Sequence, residues 1–284
     1  MKARPWVLAL LAALLAWWTL ATWHLDAVRW SMVPHGLGLL ASGWPPDLSA
    51  NWPPDTSANG SFLWQVLAGL LETLNIAIVA TILGAALAVP IGMLGARNLA
   101  PRPVVAAARG LSMAIRVLPD IFWALLAVLV LGIGPLAGFV AVTLYTVGFL
   151  SKLQYEALEG VPRDALEAAT AMGASRFQRA WHVALPEAGN ALRSQLLFMF
   201  EYNVRESSIV GYVGAGGLGW LVNINWYLSR YDRILTIILV LFVTVAAMDL
   251  ASMALRRRFV ELEGNQGRPT FADALLGRMP KGAG

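Results

Sequence analysis

Two arginines, Arg116 and Arg205, lie within apolar segments of this sequence. Arg116 precedes Asp120 by four residues, although Pro119 disturbs that turn, and Arg205 follows Glu201 by four residues and adjoins Glu206. An ionisable group at membrane depth is costly unless it is paired or hydrated, so both arginines are candidates for function. A guanidinium group binds phosphonate or phosphate oxygens through two parallel hydrogen bonds, which predicts a hydrated passage for an oxyanion. The alternative is that each arginine pairs with its neighbouring carboxylate and only fixes helix packing.

A glycine cluster follows Arg205. The stretch VRESSIVGYVGAGGLG, residues 204–219, contains the candidates for a gate or a tight turn: Gly211, Gly214, Gly216, Gly217 and Gly219. Glycine permits such turns, and successive exposed backbone N–H groups can face an anion. The alternative is that these glycines pack a re-entrant turn against neighbouring helices. Asn203, next to the cluster, joins the two arginines and their acidic neighbours as a candidate for the substrate pathway.

A polar stretch, residues 156–187, is the only long charged segment between apolar runs, which is typical of an intracellular loop. It contains a predicted helix over Asp164–Met172. Asp164 is the expected N-cap, Glu167 follows three residues later as in a capping box, and Gly173 is the expected C-terminal stop.

The predicted helix is poor in side-chain bulk. Its alanines include Ala168 and Ala169, so it can seat deeply in a cleft of another protein, while Gly173 permits the sharp turn that holds it out. A second helix is expected from near Ser175 to a point before Pro186. The alternative is an ordinary loop helix that lies on the membrane surface.

The spacing in this loop resembles the EAA loop of binding-protein-dependent ABC importer permeases. The EAA residues, 167–169, are followed after three residues by Gly173, and after nine more by VALP at residues 183–186. Further stretches resemble the phosphonate-type members of this family. They are ETLNIAIVAT from Glu72, the segment Arg116–Asp120 and the glycine-rich stretch, so the resemblance runs from about residue 72 to residue 258.

The resemblance implies an all-α polytopic membrane protein with the ABC importer permease (MetI-like) fold, located in the inner membrane. It implies coupling to an ATPase through Asp164, Glu167, Ala168, Ala169 and Gly173. The expected partners are two cytoplasmic ATPase subunits, a second permease copy in a homodimer, an external solute-binding protein and membrane lipid, but no nucleic acid. ATP and Mg²⁺ belong to the ATPase, and this chain is expected to hold no cofactor or metal. The implied cargo is phosphonate or a related phosphorus oxyanion.

The composition independently places the chain in a membrane. Of its 284 residues, 58% are hydrophobic and 13% are charged, whereas about a quarter are charged in a typical soluble domain. The net charge is +4, but lysines and arginines are grouped between apolar runs, so the basic residues indicate topology rather than nucleic-acid binding. The lack of cysteine excludes disulfides, thiolate nucleophiles and cysteine-based metal sites.

Apolar runs predict six transmembrane helices with both termini in the cytoplasm. Of the 21 lysines and arginines, only Arg29, Arg230 and Arg233 fall in segments predicted to be external. The predicted spans cover residues 6–23, 62–96, 111–131, 136–150, 191–210 and 234–255.

Three regions follow from this topology. Residues 1–61 form an anchor helix and an external Trp- and Pro-rich segment, which includes an interfacial helix over residues 28–40. Residues 62–258 form the transmembrane domain, with residues 156–187 as the coupling loop. Residues 259–284 form a cytoplasmic tail.

Two other classes of function are alternatives to an importer permease. The sequence has no GxxxxGK[ST] motif, so it has no P-loop and any ATP hydrolysis must come from a separate subunit. A secondary transporter driven by an ion gradient is the alternative, although it favours midplane carboxylates and repeated architecture, and the sequence shows neither clearly. An enzyme is disfavoured, because the sequence lacks paired histidines and any recognisable Ser/His or two-Asp arrangement.

Overall fold

The computed structural model describes residue 17 and residues 32–48 and 61–263. Every regular element in these ranges is helical, which confirms the predicted all-α class. The helices are α1 Met32–Ser42, α2 Phe62–Gly95, α3 Arg102–Val117, α4 Asp120–Leu131, α5 Pro135–Glu159, α6 Arg163–Ala171, α7 Arg176–Arg179, α8 Leu185–Glu187, α9 Gly189–Val210, α10 Gly217–Tyr227 and α11 Tyr231–Glu263. A π-helical turn, Ala180–Ala184, joins α7 to α8, and another, Gly211–Ala215, follows α9.

Three helices of the described residues are long and apolar enough to cross a membrane: α2, α5 and the Tyr231–Leu255 part of α11. Two bent pairs also qualify as broken spans, namely α3 with α4, and Gly189–Ala215 with α10, which gives up to five spans. The first predicted span, residues 6–23, lies outside the described residues except for residue 17. A multi-pass architecture is therefore supported, while the sixth span and the side on which the termini lie stay predictions.

The predicted span over residues 111–131 is wrong as a single helix. It is divided at Leu118 and Pro119, where α3 and α4 are bent by 82°. Proline has no N–H to donate and disfavours the α conformation in the residue before it, so Leu118 is extended, with φ −92° and ψ 131°. Trp123 fixes the bend, because its Nε1–H donates to the Ile115 carbonyl at 2.9 Å.

Several other predicted boundaries also fall in the wrong place. α5 continues beyond residue 150 to Glu159, so the predicted coupling loop begins inside a helix. The Lys152 and Glu156 side chains, 3.6 Å apart and one turn from each other, support this polar extension. Residues 211–233, which are predicted to be an external or re-entrant segment, contain α10. In the described part of residues 28–40, where an interfacial helix is predicted, the chain forms α1, and its position at the membrane interface stays a prediction.

α2 agrees closely with its predicted span. It is one continuous helix of 34 residues, and Pro90 lies inside it without ending it. At a rise of 1.5 Å per residue this helix is about 51 Å long, whereas a bilayer core is about 30 Å thick. The helix therefore tilts or projects beyond the bilayer.

Helices α2, α5 and α9 meet at a contact of small and polar residues. Gly84 of α2 lies against α5, where a Cβ on this glycine would be 2.7 Å from Cβ of Thr146. Asn203 of α9 is fully buried there, and its Nδ2 donates to Oγ1 of Thr81 at 2.8 Å and to Oγ1 of Thr146 at 3.0 Å. Such hydrogen bonds between helices stabilise their packing in a membrane, where buried polar side chains have few other partners.

Candidate functional site

The coupling loop presents one side of α6 away from the rest of the chain. Leu166 and Ala169 are buried, whereas Asp164, Glu167 and Ala168 are exposed. The small size of Ala169 therefore serves packing within this chain. We call these three residues, which belong to the exposed side of α6, the outward face of α6. This face is available to a partner.

The start of α6 differs from its prediction. The N-cap is Pro162, and no side-chain capping hydrogen bond is present, so Asp164 is not the N-cap and it forms no capping box with Glu167. Pro162 is pre-set for this position by its fixed φ of −55°, and the helix starts one residue earlier than expected. Asp164 lies in the first turn, where its charge interacts favourably with the helix dipole.

Gly173 ends α6, as predicted. Its φ is +82°, a left-handed conformation that favours glycine. The Gly173 N–H donates to the Thr170 carbonyl at 2.9 Å, and the Ala174 N–H donates to the Ala169 carbonyl at 3.0 Å, which together make a Schellman motif. No heavy atom lies within 4 Å of a Cβ built on Gly173, so backbone conformation rather than space requires glycine.

The second helical segment of the loop begins where predicted but ends later. Ser175 is its N-cap, and Ser175 and Gln178 form a reciprocal capping box with hydrogen bonds of 3.3 and 2.8 Å. The predicted end before Pro186 is wrong, because the helix widens into the π-helical turn and continues through Pro186. The Leu185 N–H donates to the carbonyl five residues back, and this wider turn accommodates a proline that cannot donate.

An apolar cluster seats the coupling loop on the ends of α2 and α5. Its buried members are Ala96, Leu99, Tyr155, Leu158, Val161, Leu166, Ala180, Ala184 and Ala188. Separating these surfaces would expose apolar area at a cost of about 25 cal/mol per Å². The loop and the two helix ends therefore behave as one packed unit.

Arg109 of α3 connects the same helix ends through hydrogen bonds. Its Nη2 donates to Glu159 Oε1, at the end of α5, at 2.5 Å, and its Nε donates to the Gly95 carbonyl, at the end of α2, at 2.8 Å. The guanidinium also lies 4.3 Å from the centre of the Tyr155 ring, and Glu159 accepts the Arg97 N–H at 2.7 Å. We call these five residues the Arg109 junction. It holds α2, α3 and α5 together where the coupling loop packs.

Sequence reasoning alone does not find the Arg109 junction. Arg109 and Glu159 are 50 residues apart, and no helical spacing rule connects them. The only available signals are an arginine that follows an apolar stretch and a carboxylate at the end of a long helix. Neither signal identifies the partner.

Arg116 and Asp120 lie on opposite sides of the 82° bend. Among the described residues, Arg116 Nε and Asp120 Oδ2 are buried without a hydrogen-bond partner. The other oxygen of Asp120 accepts the Ile121 N–H at 2.9 Å. In the described part of the chain, the ion pair suggested by the spacing of Arg116 and Asp120 is therefore not formed, and one buried polar atom of each side chain has no partner.

The candidates on α9 face different surroundings. Arg205 is exposed at the edge of a largely apolar cavity of about 360 Å³, bounded by α9, α10 and α11. Glu206 and Glu201 are half-buried on the same helix. Asn203 is instead enclosed in the packing contact of α2, α5 and α9. A passage role for these residues stays a prediction.

The five candidate glycines form a tight connection between α9 and α10. Gly214, Gly216 and Gly217 have positive φ values of 103°, 85° and 66°. Gly211 and Gly219 permit close backbone approach, because a Cβ on Gly211 would lie 3.0 Å from Cα of Gly219. These features favour the packing interpretation, while a gating role stays a prediction.

The site consists of an exposed helix face and the contacts that hold this helix against the rest of the chain. Within the residues that the structure describes, no group of three or more His, Cys, Asp or Glu side chains could hold a metal ion. The outward face of α6 is exposed, and the apolar cluster and the Arg109 junction join α6 to the ends of α2, α3 and α5.

Comparisons with known proteins agree with this arrangement. Residues 88–261 match the family described as binding-protein-dependent transport system inner membrane component. The phosphite transport system permease protein PtxC of Stutzerimonas stutzeri is 31% identical over 245 residues, which cover 84% of this chain and 85% of that protein. The phosphate-import permease protein PhnE of Mycolicibacterium smegmatis is 36% identical over 190 residues, which cover 66% of this chain but only 36% of that protein.

A solved structure shows a similar fold. The inward-facing methionine ABC transporter MetNI contains a chain that aligns with a TM-score of 0.61 and 25% identity, covering 69% of this chain and 96% of that chain. The alignment supports the predicted MetI-like fold.

Proposed function

Because the chain belongs to the family of binding-protein-dependent transport system inner membrane components, we propose that it forms the membrane pathway for phosphonate or a related phosphorus oxyanion. It is an ABC importer permease, a multi-pass protein of the inner membrane, and its relatives are transport permeases rather than enzymes. The observation that carries the cargo proposal is the similarity to PtxC, a protein named for phosphite transport, over most of both chains.

The proposed energy source is ATP hydrolysis on two separate ATPase subunits, which hold the ATP and Mg²⁺. They would dock on the outward face of α6 in a homodimer of this chain. Support comes from the exposed Asp164, Glu167 and Ala168 and from the Schellman turn at Gly173, which fixes where α6 ends. A solute-binding protein would deliver the cargo on the opposite side of the membrane.

Movement of the ATPases would displace α6 and, with it, the ends of α2, α3 and α5. The apolar cluster and the Arg109 junction support this route, because they join α6 and the three helix ends into one unit. A rigid-body change of this type switches a cavity between the two faces of a membrane.

The proposed passage uses Arg116 and Arg205 for weak, transient contacts with the oxyanion, since a tight permanent site would be a poor conduit. Support comes from the buried, unpartnered Nε of Arg116 and from the exposed position of Arg205. Asp120, Glu201 and Glu206 would limit the strength of these contacts.

Reconstitution of the permease with its ATPase and its solute-binding protein tests the proposed function. We expect ATP-dependent uptake of phosphite, phosphate or methylphosphonate into proteoliposomes, and we expect vanadate to block it. An assembled complex that transports none of the three would contradict the cargo proposal. Uptake that vanadate does not block, and that stops when an ion gradient across the membrane is dissipated, would instead identify a secondary transporter.

Cysteine labelling tests the proposed topology, because the chain has no native cysteine. Met172 and Tyr227 are 83% and 79% exposed, at the coupling loop and at the end of α10. We expect an impermeant thiol reagent to label Tyr227→Cys in intact cells and Met172→Cys only after permeabilisation. The reverse pattern would show that the coupling loop is external.

A further inference from the structure

A second cavity, of about 440 Å³, lies far from the coupling loop between α2, α10 and the start of α11. Its polar lining comes from Gln65, Glu72, Asn225, Arg230 and Arg233. Between Gly69, in its wall, and Gly95, at the Arg109 junction, α2 rises by about 39 Å, which places the cavity at the other end of the bundle. In the proposed topology that end is external.

Arg233 is held in a fixed orientation at this cavity. Its Nε lies 3.5 Å from Oδ2 of Asp47, and its guanidinium lies 4.7 Å from the centre of the Phe62 ring. Asp47 is itself fixed, because its carbonyl accepts the Thr236 hydroxyl at 3.0 Å. A guanidinium group has five N–H donors in a planar fork, so a contact through Nε does not exhaust its capacity to bind an oxyanion.

Arg230 enters the cavity wall from the turn between α10 and α11. Its backbone N–H donates to the Asn225 carbonyl at 3.0 Å, and its carbonyl accepts the Ile234 N–H at 3.2 Å. These two hydrogen bonds hold the backbone of the turn in place, while the Arg230 side chain is exposed. Two guanidinium groups from different positions thus line one small cavity.

Glu72 supplies an opposing charge in the same cavity. It is half-buried on α2, and its Oε1 would be only 2.6 Å from a Cβ on Gly216, so it lies directly against the glycine turn. A carboxylate repels an anion. It therefore weakens anion binding by the two arginines and favours release.

We propose that this cavity is the first permease site for the incoming oxyanion, held by Arg230 and Arg233 and kept weak by Glu72. The proposal rests on the proposed function and adds the residues that receive the cargo. A cavity of 300–1,000 Å³ is typical for small ligands, and this one is at the small end, which suits an ion such as phosphite or methylphosphonate. Charge assistance from two arginines selects an oxyanion over a neutral molecule.

The test is direct binding of methylphosphonate to the complete permease–ATPase complex in nanodiscs, measured by broadening of its phosphorus NMR signal. We expect Arg230→Gln or Arg233→Gln to weaken binding about tenfold, as loss of a charged hydrogen bond does. Glu72→Gln is expected to strengthen binding, because it removes the repulsion. Arg102→Gln, an exposed arginine at the start of α3, is the matched control and should change nothing.

The opposite sign expected for Glu72→Gln separates an anion site from a damaged fold. Equal broadening in all variants, no broadening with the unmodified complex, or weaker binding in all three cavity variants would each overturn the proposal. Oxyanion uptake in proteoliposomes is measured separately. If the unmodified complex takes up the oxyanion but the three cavity variants do not show the expected changes in binding, the role of this cavity is refuted and the proposed function is left intact.

Discussion

Replacing Gly173 with proline is expected to abolish transport while leaving the chain inserted in the membrane. Proline fixes φ near −65°, whereas Gly173 requires +82°, and proline also removes the N–H that donates to Thr170. The Schellman turn would be lost, and the outward face of α6 would no longer be held in place. ATPase co-purification and transport-linked ATP hydrolysis measure the effect. Gly173→Ala, which costs about 1–2 kcal/mol in this conformation, should be intermediate.

Charge reversal at Glu167 is expected to give the same uncoupling without altering the turn. Glu167 is exposed on the outward face of α6, so Glu167→Lys changes the docking surface rather than the core. Glu187→Lys is the matched control, because Glu187 is exposed in the same loop but outside α6. Normal complex yield and normal transport in both Gly173→Pro and Glu167→Lys would contradict the assignment of α6 as the docking helix.

Adding one methyl group at Gly219 is expected to prevent correct folding. A Cβ at this position would meet the Ser208 carbonyl oxygen and lie 2.5 Å from the Tyr212 nitrogen and 2.7 Å from the Gly211 carbonyl carbon. All three are backbone atoms of the adjoining segment, so no side chain can move aside. Overpacking typically costs 1–3 kcal/mol, and a clash with backbone belongs at or above the upper end of that range.

Gly110→Ala is the control for Gly219→Ala. Gly110 lies within α3 with nothing within 4 Å of a built Cβ, so alanine there should be neutral or stabilising by up to about 1 kcal/mol. The yield of monodisperse complex and its thermal unfolding midpoint measure both variants. Equal stability of the two would show that the approach of α10 to α9 is looser than described.

Features fixed by local physics could be predicted from the sequence. Gly173 ends α6 because the backbone there has a left-handed conformation, which favours glycine. α2 is recognisable because its apolar run is longer than a bilayer crossing requires. The predicted helix ends are wrong where the hydrogen-bonded helix does not begin or end with the apolar run. α5 extends past its apolar part because helical hydrogen bonds continue in water, and Pro119 divides an apolar run that hydropathy joins.

Features that depend on contacts between distant segments could not be predicted. The spacing of Arg116 and Asp120 indicates a pair on one helix, yet the bend leaves an atom of each without a partner. Nothing in the sequence links Asn203 to Thr81, and their hydrogen bond becomes visible only when α9 packs against α2. The Arg109 junction likewise depends on how α2 and α5 end beside α3.

The length of α2 gives the Arg109 junction a mechanical advantage. The junction holds the Gly95 end of a continuous helix of 34 residues whose other end, at Phe62, is about 50 Å away at 1.5 Å per residue. A rotation of about 10° at the held end would swing the far end by about 9 Å over that length. In the proposed function the helix would act as a lever arm, and the displacement of its far end would grow with the rotation that the ATPases impose. Bending at Pro90, which lies close to the held end, would reduce that displacement.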